Sequence, residues 1–372
     1  MGRVKLGLIV NPMAGIGGRV GLKGSDGEDI QQRARALGAM PEAVDKAERA
    51  LQRLAPYAAQ FSLITYPGEM GEAAARRNRL EPWVIGEIQP GRTTAEDTRR
   101  AARQMRALGV DLLLFAGGDG TARDLYTAIG EEVLALGIPA GVKIHSGVFA
   151  TTPERAGDLA VRFLNAQVGQ RLGEVMDIDE EAFRQGRVAA RLFGYLRIPY
   201  RRELVQGAKV ASPTAESLAS HAIAQELIQR MQPDWLWILG PGSTTRAIAA
   251  QLGLEKTLLG VDVMQNRTLL AKDVNEPQLL DLLEGKQAKI VLTPIGGQGF
   301  ILGRGNQPIS PAVVRRVGKE NFLIVSTVEK IQGLRGAPLR VDSGDPSLDR
   351  LLEGYVRVIT GLGEELIYKI AA

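Results

Sequence analysis

The run Asp111-Leu112-Leu113-Leu114-Phe115-Ala116-Gly117-Gly118-Asp119-Gly120-Thr121 sets a lone carboxylate in a side-chain-poor loop directly after an apolar strand. Glycines lack a Cβ, so the amides of Gly117, Gly118 and Gly120 can approach an anion closely. The helix expected to begin near Thr121 aims its positive end the same way. A polyphosphate can lie against such a backbone, leaving Asp119 to serve a metal or a hydroxyl. Asp-Gly between apolar stretches also signals a hairpin, but a hairpin needs alternating strands on both sides. Here Ala122, Leu125, Ala128 and Ile129 recur at helical spacing, so the order is strand, glycine loop, helix.

Upstream, Val4–Val10 reads as a buried strand ending at Asn11-Pro12. Glycines 15, 17, 18, 21, 24 and 27 then crowd a loop with Arg19 and Lys23, either a cover that orders on ligand or a plain linker. Val44, Ala47, Leu51, Leu54 and Ala58 mark one helical face, Phe61–Thr65 a strand, and Ala101, Met105 and Leu108 a second helix. This alternation predicts a parallel sheet with helices on its faces, whose ligands gather at the carboxyl ends of the strands. Asn11 and residues 117–121 lie at two such ends.

From residue 173 to about 209 the texture changes. Residues 186–200 (GRVAARLFGYLRIPY) are rich in strand formers, with Pro199 expected to break them. Helix is expected over residues 215–231, strand over 235–239, then a second corner at Gly240-Pro241-Gly242-Ser243-Thr244-Thr245. There Ser243 and Thr244 either seat an anion, which Arg246 would then face, or cap the helix. Short strands follow at 258–263, 290–293 and 322–325, with a helix at 277–283 after Asn275-Glu276. The tail, 351–360 and 366–370, reads as a hairpin around Gly361-Leu362-Gly363. The expected architecture is α/β: a Rossmann-like N-terminal domain with a parallel sheet (1–170), a mixed, β-rich second domain (171–345), and closing strands (346–372) that pack back on the body.

A chain of 372 residues exceeds what one core usually holds, which agrees with two domains. Its 45% hydrophobic and 24% charged residues are ordinary globular composition. The net charge of +4 comes with scattered arginine pairs, and only 5% of residues are aromatic. No basic run interleaves with those aromatics, so phosphorylated small molecules are expected as partners and nucleic acid is not. Cysteine is absent, which removes disulfides, thiolate nucleophiles and Cys-type zinc sites. His145 and His221 are the only histidines, too few and too far apart for an HExxH pair. His145 reads as a structural residue, as does Asp124. No signal-peptide pattern and no apolar run of about 20 residues is visible, so a cytoplasmic protein without membrane contact is expected.

Asn11-Pro12-Met13-Ala14-Gly15, the 117–121 block and Thr293-Pro294-Ile295-Gly296-Gly297-Gln298-Gly299-Phe300 together resemble the ATP-NAD kinase family. Within it the chain is similar to the branch of predicted ATP- or polyphosphate-dependent NAD kinases that includes acetoin catabolism protein X, a likeness also carried by residues 138–150 (IPAGVKIHSGVFA). The resemblance implies an NAD kinase-like fold and a phosphotransferase acting on an alcohol. ATP or polyphosphate, with Mg2+, would phosphorylate the 2′-hydroxyl of NAD or NADH to give NADP(H). Asp119 would act as base or hold Mg2+ through water. Asn11, Gly117, Gly118, Gly120, Thr121, Ser243 and Thr244 would surround phosphates and nucleotide. Asn275, Glu276, Thr293, Gly296 and Gly297 would contact the dinucleotide, with Gly299 leaving room for adenosine. A homo-oligomer is implied too.

Ordinary NAD kinases continue Thr-Pro-x-Gly with Ser-Thr-Ala-Tyr, whereas this chain has Gly297-Gln298-Gly299-Phe300 and lacks those hydroxyls. That departure keeps a dinucleotide-sensing protein with little kinase activity as an alternative. A diacylglycerol-type lipid kinase shares the Asn-Pro and 117–121 patterns, but not the 293–311 segment.

Overall fold

The computed structural model describes residues 3–18, 20–22, 28–142, 144–178, 190–201, 205, 216–295 and 298–372. The chain divides into two compact units, Met1–Ile16 with Gly24–Ala208, and Gly17–Lys23 with Lys209–Ala372.

The first unit holds a sheet of β1 (Val4–Val10), β2 (Phe61–Thr65), β3 (Trp83–Val84), β4 (Leu112–Gly117) and β5 (Ala135–Pro139). Their order is β3-β2-β1-β4-β5, and every neighbouring pair is parallel. All six residues of β4 and the last five of β1 are buried, as strands covered on both faces require. The helices are α1 (Glu28–Ala36), α2 (Ala43–Leu54), α3 (Glu72–Arg77), α4 (Ala95–Ala107), α5 (Asp119–Ile129) and α6 (Pro153–Leu164). α2 stops before Ala58, which is exposed, because Pro56 forces the chain into a 3₁₀ stretch over Ala55–Gln60. The chain runs from β1 to β2 on one side and returns to β4 on the other. The carboxyl ends of β1 and β4 therefore form the topological switch point at which such sheets bind ligands.

Two long antiparallel strands, β6 (Gly169–Ile178) and β7 (Ala190–Tyr200), also belong to this unit. The units divide between Ala208 and Lys209, beyond the boundary expected at 170/171. The reason is packing: Val175, Leu196 and Ile198 lie in the first unit's core, and Arg197 donates to the carbonyls of Glu131 and Glu132 at 2.6 and 2.7 Å. Pro199 does not break β7 but pairs opposite Gln170, since a two-stranded ribbon gives each strand an open edge where a missing N–H is tolerated.

Among its described residues the second unit carries nine strands: β8 (Leu236–Leu239), β9 (Asp262–Gln265), β10 (Thr268–Ala271), β11 (Ala288–Leu292), β12 (Phe300–Leu302), β13 (Phe322–Val325), β14 (Leu339–Val341), β15 (Gly354–Gly361) and β16 (Glu364–Ala371). They lie in the order β10-β9-β8-β11-β13-β15-β16-β14-β12. β8, β11, β13 and β15 run parallel, whereas β9, β10 and the β15–β16 hairpin introduce antiparallel pairs. Strands β8 and β11 feed two cores by alternation: Leu236, Ile238, Ile290 and Leu292 face one, and Trp237, Leu239 and Val291 the other. Its helices are α7 (Glu216–Arg230), α8 (Ser243–Gln251), α9 (Glu276–Leu282), α10 (Pro311–Val317), α11 (Val328–Gly333) and α12 (Pro346–Leu352). The strand expected at 258–263 starts only at Asp262. That carboxylate takes hydrogen bonds from the Thr257 amide (2.7 Å), the Thr257 hydroxyl (2.6 Å) and the Asp273 amide (2.8 Å), so the preceding residues form a loop. The closing hairpin is built into this sheet, with β15 beside β13 and β16 beside β14. No helix among the described residues is long and apolar enough to cross a membrane.

Candidate functional site

At the switch point β4 ends on Gly117, Gly118 is the extended N-cap, and α5 begins at Asp119, two residues before the expected start. A side chain at Gly117 would place its Cβ 2.4 Å from the Thr121 Cβ and Oγ1, and one at Gly118 would stand 3.1 Å from the Gly141 Cα. Here the glycines serve close packing of the corner. Gly118 offers no capping side chain, so the first α5 amides have no side-chain acceptor from that residue. Gly120 stands half-buried in that first turn.

Asn11 ties the two strand ends together. Its amide N–H donates to the Ala116 carbonyl at 2.9 Å, and its side-chain Nδ2 donates to Thr121 Oγ1 at 3.0 Å. Its Oδ1 accepts from the Met13 amide at 3.1 Å, which shapes the turn after β1. Gly15 follows at φ +81°, where a Cβ would come within 2.2 Å of the Ala140 carbonyl oxygen.

Asp119 is buried, and its carboxylate is held by a segment far along the chain. Oδ1 accepts from the Ser146 amide at 3.0 Å; Oδ2 accepts from the His145 amide at 2.7 Å and meets His145 Nδ1 at 3.1 Å. Ser146 is itself fixed by β6, because the Met176 amide donates to its hydroxyl at 2.9 Å. An ionised carboxylate oxygen only accepts, so Nδ1 is the donor in that contact. Three convergent donors fix the acid's rotamer while leaving it lone-pair capacity for one more partner. His145, read from sequence as structural, is thus a direct neighbour of the acid. The available signal was its place in the loop after β5, the next strand of the sheet. Asp124 pairs with Arg99 Nη1 at 2.7 Å.

The second corner has a different chemistry. Gly242, at φ +132°, caps α8, and its amide donates to the Leu258 carbonyl at 2.9 Å. Lys330 Nζ lies 3.0 Å from Thr244 Oγ1 and 3.5 Å from Ser243 Oγ. Sequence reasoning missed Lys330; it looked instead to Arg246, which is exposed and makes no hydrogen bond or ion pair with Ser243 or Thr244 among the described residues. Thr293 is buried just past the end of β11, and its Oγ1 has no hydrogen-bond partner among the described residues.

Asn275 serves as a helix cap. It opens α9, accepting from the Gln278 amide at 3.0 Å while Gln278 returns the bond to the Asn275 amide. Glu276 is the first residue of that helix. Gly299 makes a turn at φ +77° against Leu334 and the Pro338 carbonyl. Gly296 and Gly297 lie outside the described residues. Among the described residues no three His, Asp or Glu side chains gather as a metal cluster.

A family model described as the ATP-NAD kinase N-terminal domain matches residues 6–168, and one described as the ATP-NAD kinase C-terminal domain matches residues 234–370. No curated protein and no solved structure matches the chain.

Proposed function

Because the chain belongs to the ATP-NAD kinase family, we propose that it transfers a phosphoryl group from ATP or polyphosphate to the 2′-hydroxyl of NAD or NADH. The observation that carries this reading is the buried Asp119 carboxylate, oriented by three donors at the switch point of the first unit's sheet. In the proposed reaction the ribose 2′-oxygen bonds to the terminal phosphorus. The bond from that phosphorus to the bridging oxygen breaks, and ADP or a shortened polyphosphate leaves. The hydroxyl proton passes to Asp119, which must then stand within about 2.6–3.2 Å of the hydroxyl.

Positioning and electrostatics dominate such transfers. The amides at the start of α5 and the positive end of that helix suit phosphate oxygens, while Asn11 and Thr121 keep the ends of β1 and β4 in register. Mg2+ arriving with the phosphates would neutralise their charge. The likeness of residues 138–150 to the branch that includes acetoin catabolism protein X gains a physical role in this reading, since His145 and Ser146 are the residues that orient the acid.

The deciding experiment incubates the purified chain with NAD or NADH and with ATP or polyphosphate, in Mg2+ or Mn2+, and measures NADP(H). Formation of 2′-phosphorylated product is expected. Tight dinucleotide binding with no product under any donor and metal overturns the kinase reading in favour of a sensor, the outcome that the missing hydroxyls after Gly296 would explain.

A further inference from the structure

Deepening the kinase reading on which it rests, we propose that the His145 side chain is a positioning residue for the transfer. Its ring N–H holds Oδ2 of Asp119, so that Oδ1 is the oxygen that meets the ribose hydroxyl.

The two oxygens of the acid are unequally occupied. Each has about two lone pairs with which to accept. Oδ2 takes both donors of one residue, the His145 amide at 2.7 Å and His145 Nδ1 at 3.1 Å, whereas Oδ1 takes only the Ser146 amide at 3.0 Å. A further donor therefore finds room on Oδ1. The two amides belong to the main chain, and any residue but proline at position 145 would supply the same one. The ring bond is the part of this hold that the side chain at 145 decides.

The loop keeps its place without the ring. Ser146 Oγ accepts from the Met176 amide at 2.9 Å, the Gly147 amide donates to the Glu174 carbonyl at 2.8 Å, and Arg171 Nη2 donates to the Gly147 carbonyl at 3.2 Å. Residues 146 and 147 are thus fastened to β6 directly. His145 is 3% exposed, and the only hydrogen bond its ring makes among the described residues goes to Asp119. A buried imidazole that fastens the acid, and not the loop, serves the acid's orientation. Orientation matters here because a misplacement of about 1 Å can cost about 100-fold in rate.

The test measures NADP(H) formation by wild type, His145→Leu and His145→Asn, with kcat and KM resolved for both substrates. Leucine puts a methyl group where Nδ1 stands; asparagine puts an amide N–H there, equally far from Cα in bonds. His145→Leu should lower kcat about 10- to 100-fold with KM unchanged, and His145→Asn should recover most of that loss. If the leucine variant fails to fold, His145→Gln, whose donor lies one bond farther out, takes its place. Equal losses in the leucine and asparagine variants, a leucine variant as fast as wild type, or a rise in KM alone overturns the proposal. A second readout needs no turnover. His145 and His221 are the chain's only histidines, so NMR on isotope-labelled histidine sees two rings, and His221→Gln assigns them. A slowly exchanging Nδ1–H of His145 that shifts in Asp119→Asn is expected, and its absence from wild type overturns the hold. Normal NADP formation without that resonance removes the hold and leaves the kinase reading standing. Wild type that forms no NADP removes the kinase reading and the transfer role with it, and the resonance then decides alone whether the ring holds the acid.

Discussion

The corner at residues 117–121 in the first unit and the corner at residues 240–245 in the second share one local plan, a buried parallel strand running through glycine into a helix, yet they are charged in opposite senses. The first presents an acid at the helix start, held by the His145 and Ser146 amides and the His145 ring. The second presents hydroxyls and the Lys330 ammonium. A glycine corner therefore specifies only that backbone is open at a helix end. What stands there, a held carboxylate or hydroxyls beside an ammonium, depends on one or two side chains delivered from elsewhere in the fold.

The contrast breaks most readily at Asp119. Asp119→Asn keeps the shape but cannot accept the hydroxyl proton, so NADP formation should fall by about 10³-fold, within the usual range for a general base. Circular dichroism should show the fold retained; substantial turnover by the purified, folded variant would assign the acid a merely structural place. Steric change should then affect both corners alike. Gly117→Ala meets the Thr121 side chain, and Gly242→Ala meets Thr293 at a positive φ, so each should lose about 1–3 kcal/mol in urea unfolding. A loss below about 0.5 kcal/mol at either would mean that the corner relaxes freely.

Asn11→Ala separates the two regions. At the first corner a side chain from the neighbouring strand's end bonds to the helix turn, whereas Thr245 at the second bonds within its own loop. Losing the bond to Thr121 Oγ1 should cost about 1 kcal/mol, read from the unfolding midpoint. The smallest effect is expected away from both corners. The Gly363 amide, then Arg230, hold Glu226 below the usual carboxylate range, and Arg230 does the same for Glu365. Depressed carboxylates add stability that is present above the unfolded value near 4.3 and is lost as pH falls through the folded one. Arg230→Ala should therefore lose about 0.2–1 kcal/mol at pH 6 and less at pH 3. An equal loss at both pH values would assign Arg230 to packing rather than charge.

Much of the fold was legible because periodicity is local. Leu6, Leu8 and Ile9 in β1, and residues 112–116 in β4, announce strands buried on both faces, and Ala122, Leu125 and Ile129 announce α5 by their spacing. The position of Asp119 at the carboxyl end of a strand followed from the same local pattern. Asn275 shows the opposite case: as an isolated residue type it suits a helix cap as well as a ligand, and only the structure shows that it caps a helix. Pro199 misled because its tolerance depends on whether its strand has an open edge, which pairing alone decides.

The amino-acid sequence by itself determined the alternating α/β pattern, two glycine corners and an acid in the first of them. Only the tertiary structure decided that His145 and Ser146, 26 and 27 residues beyond Asp119, would hold its carboxylate, and that Lys330 would reach Thr244 across 86 residues. It also decided that the last hairpin would enter the middle of the second sheet. The reason is physical: backbone propensity and apolar spacing act over a few residues, whereas the partners of a buried charge are chosen by the packing that closes long loops around it.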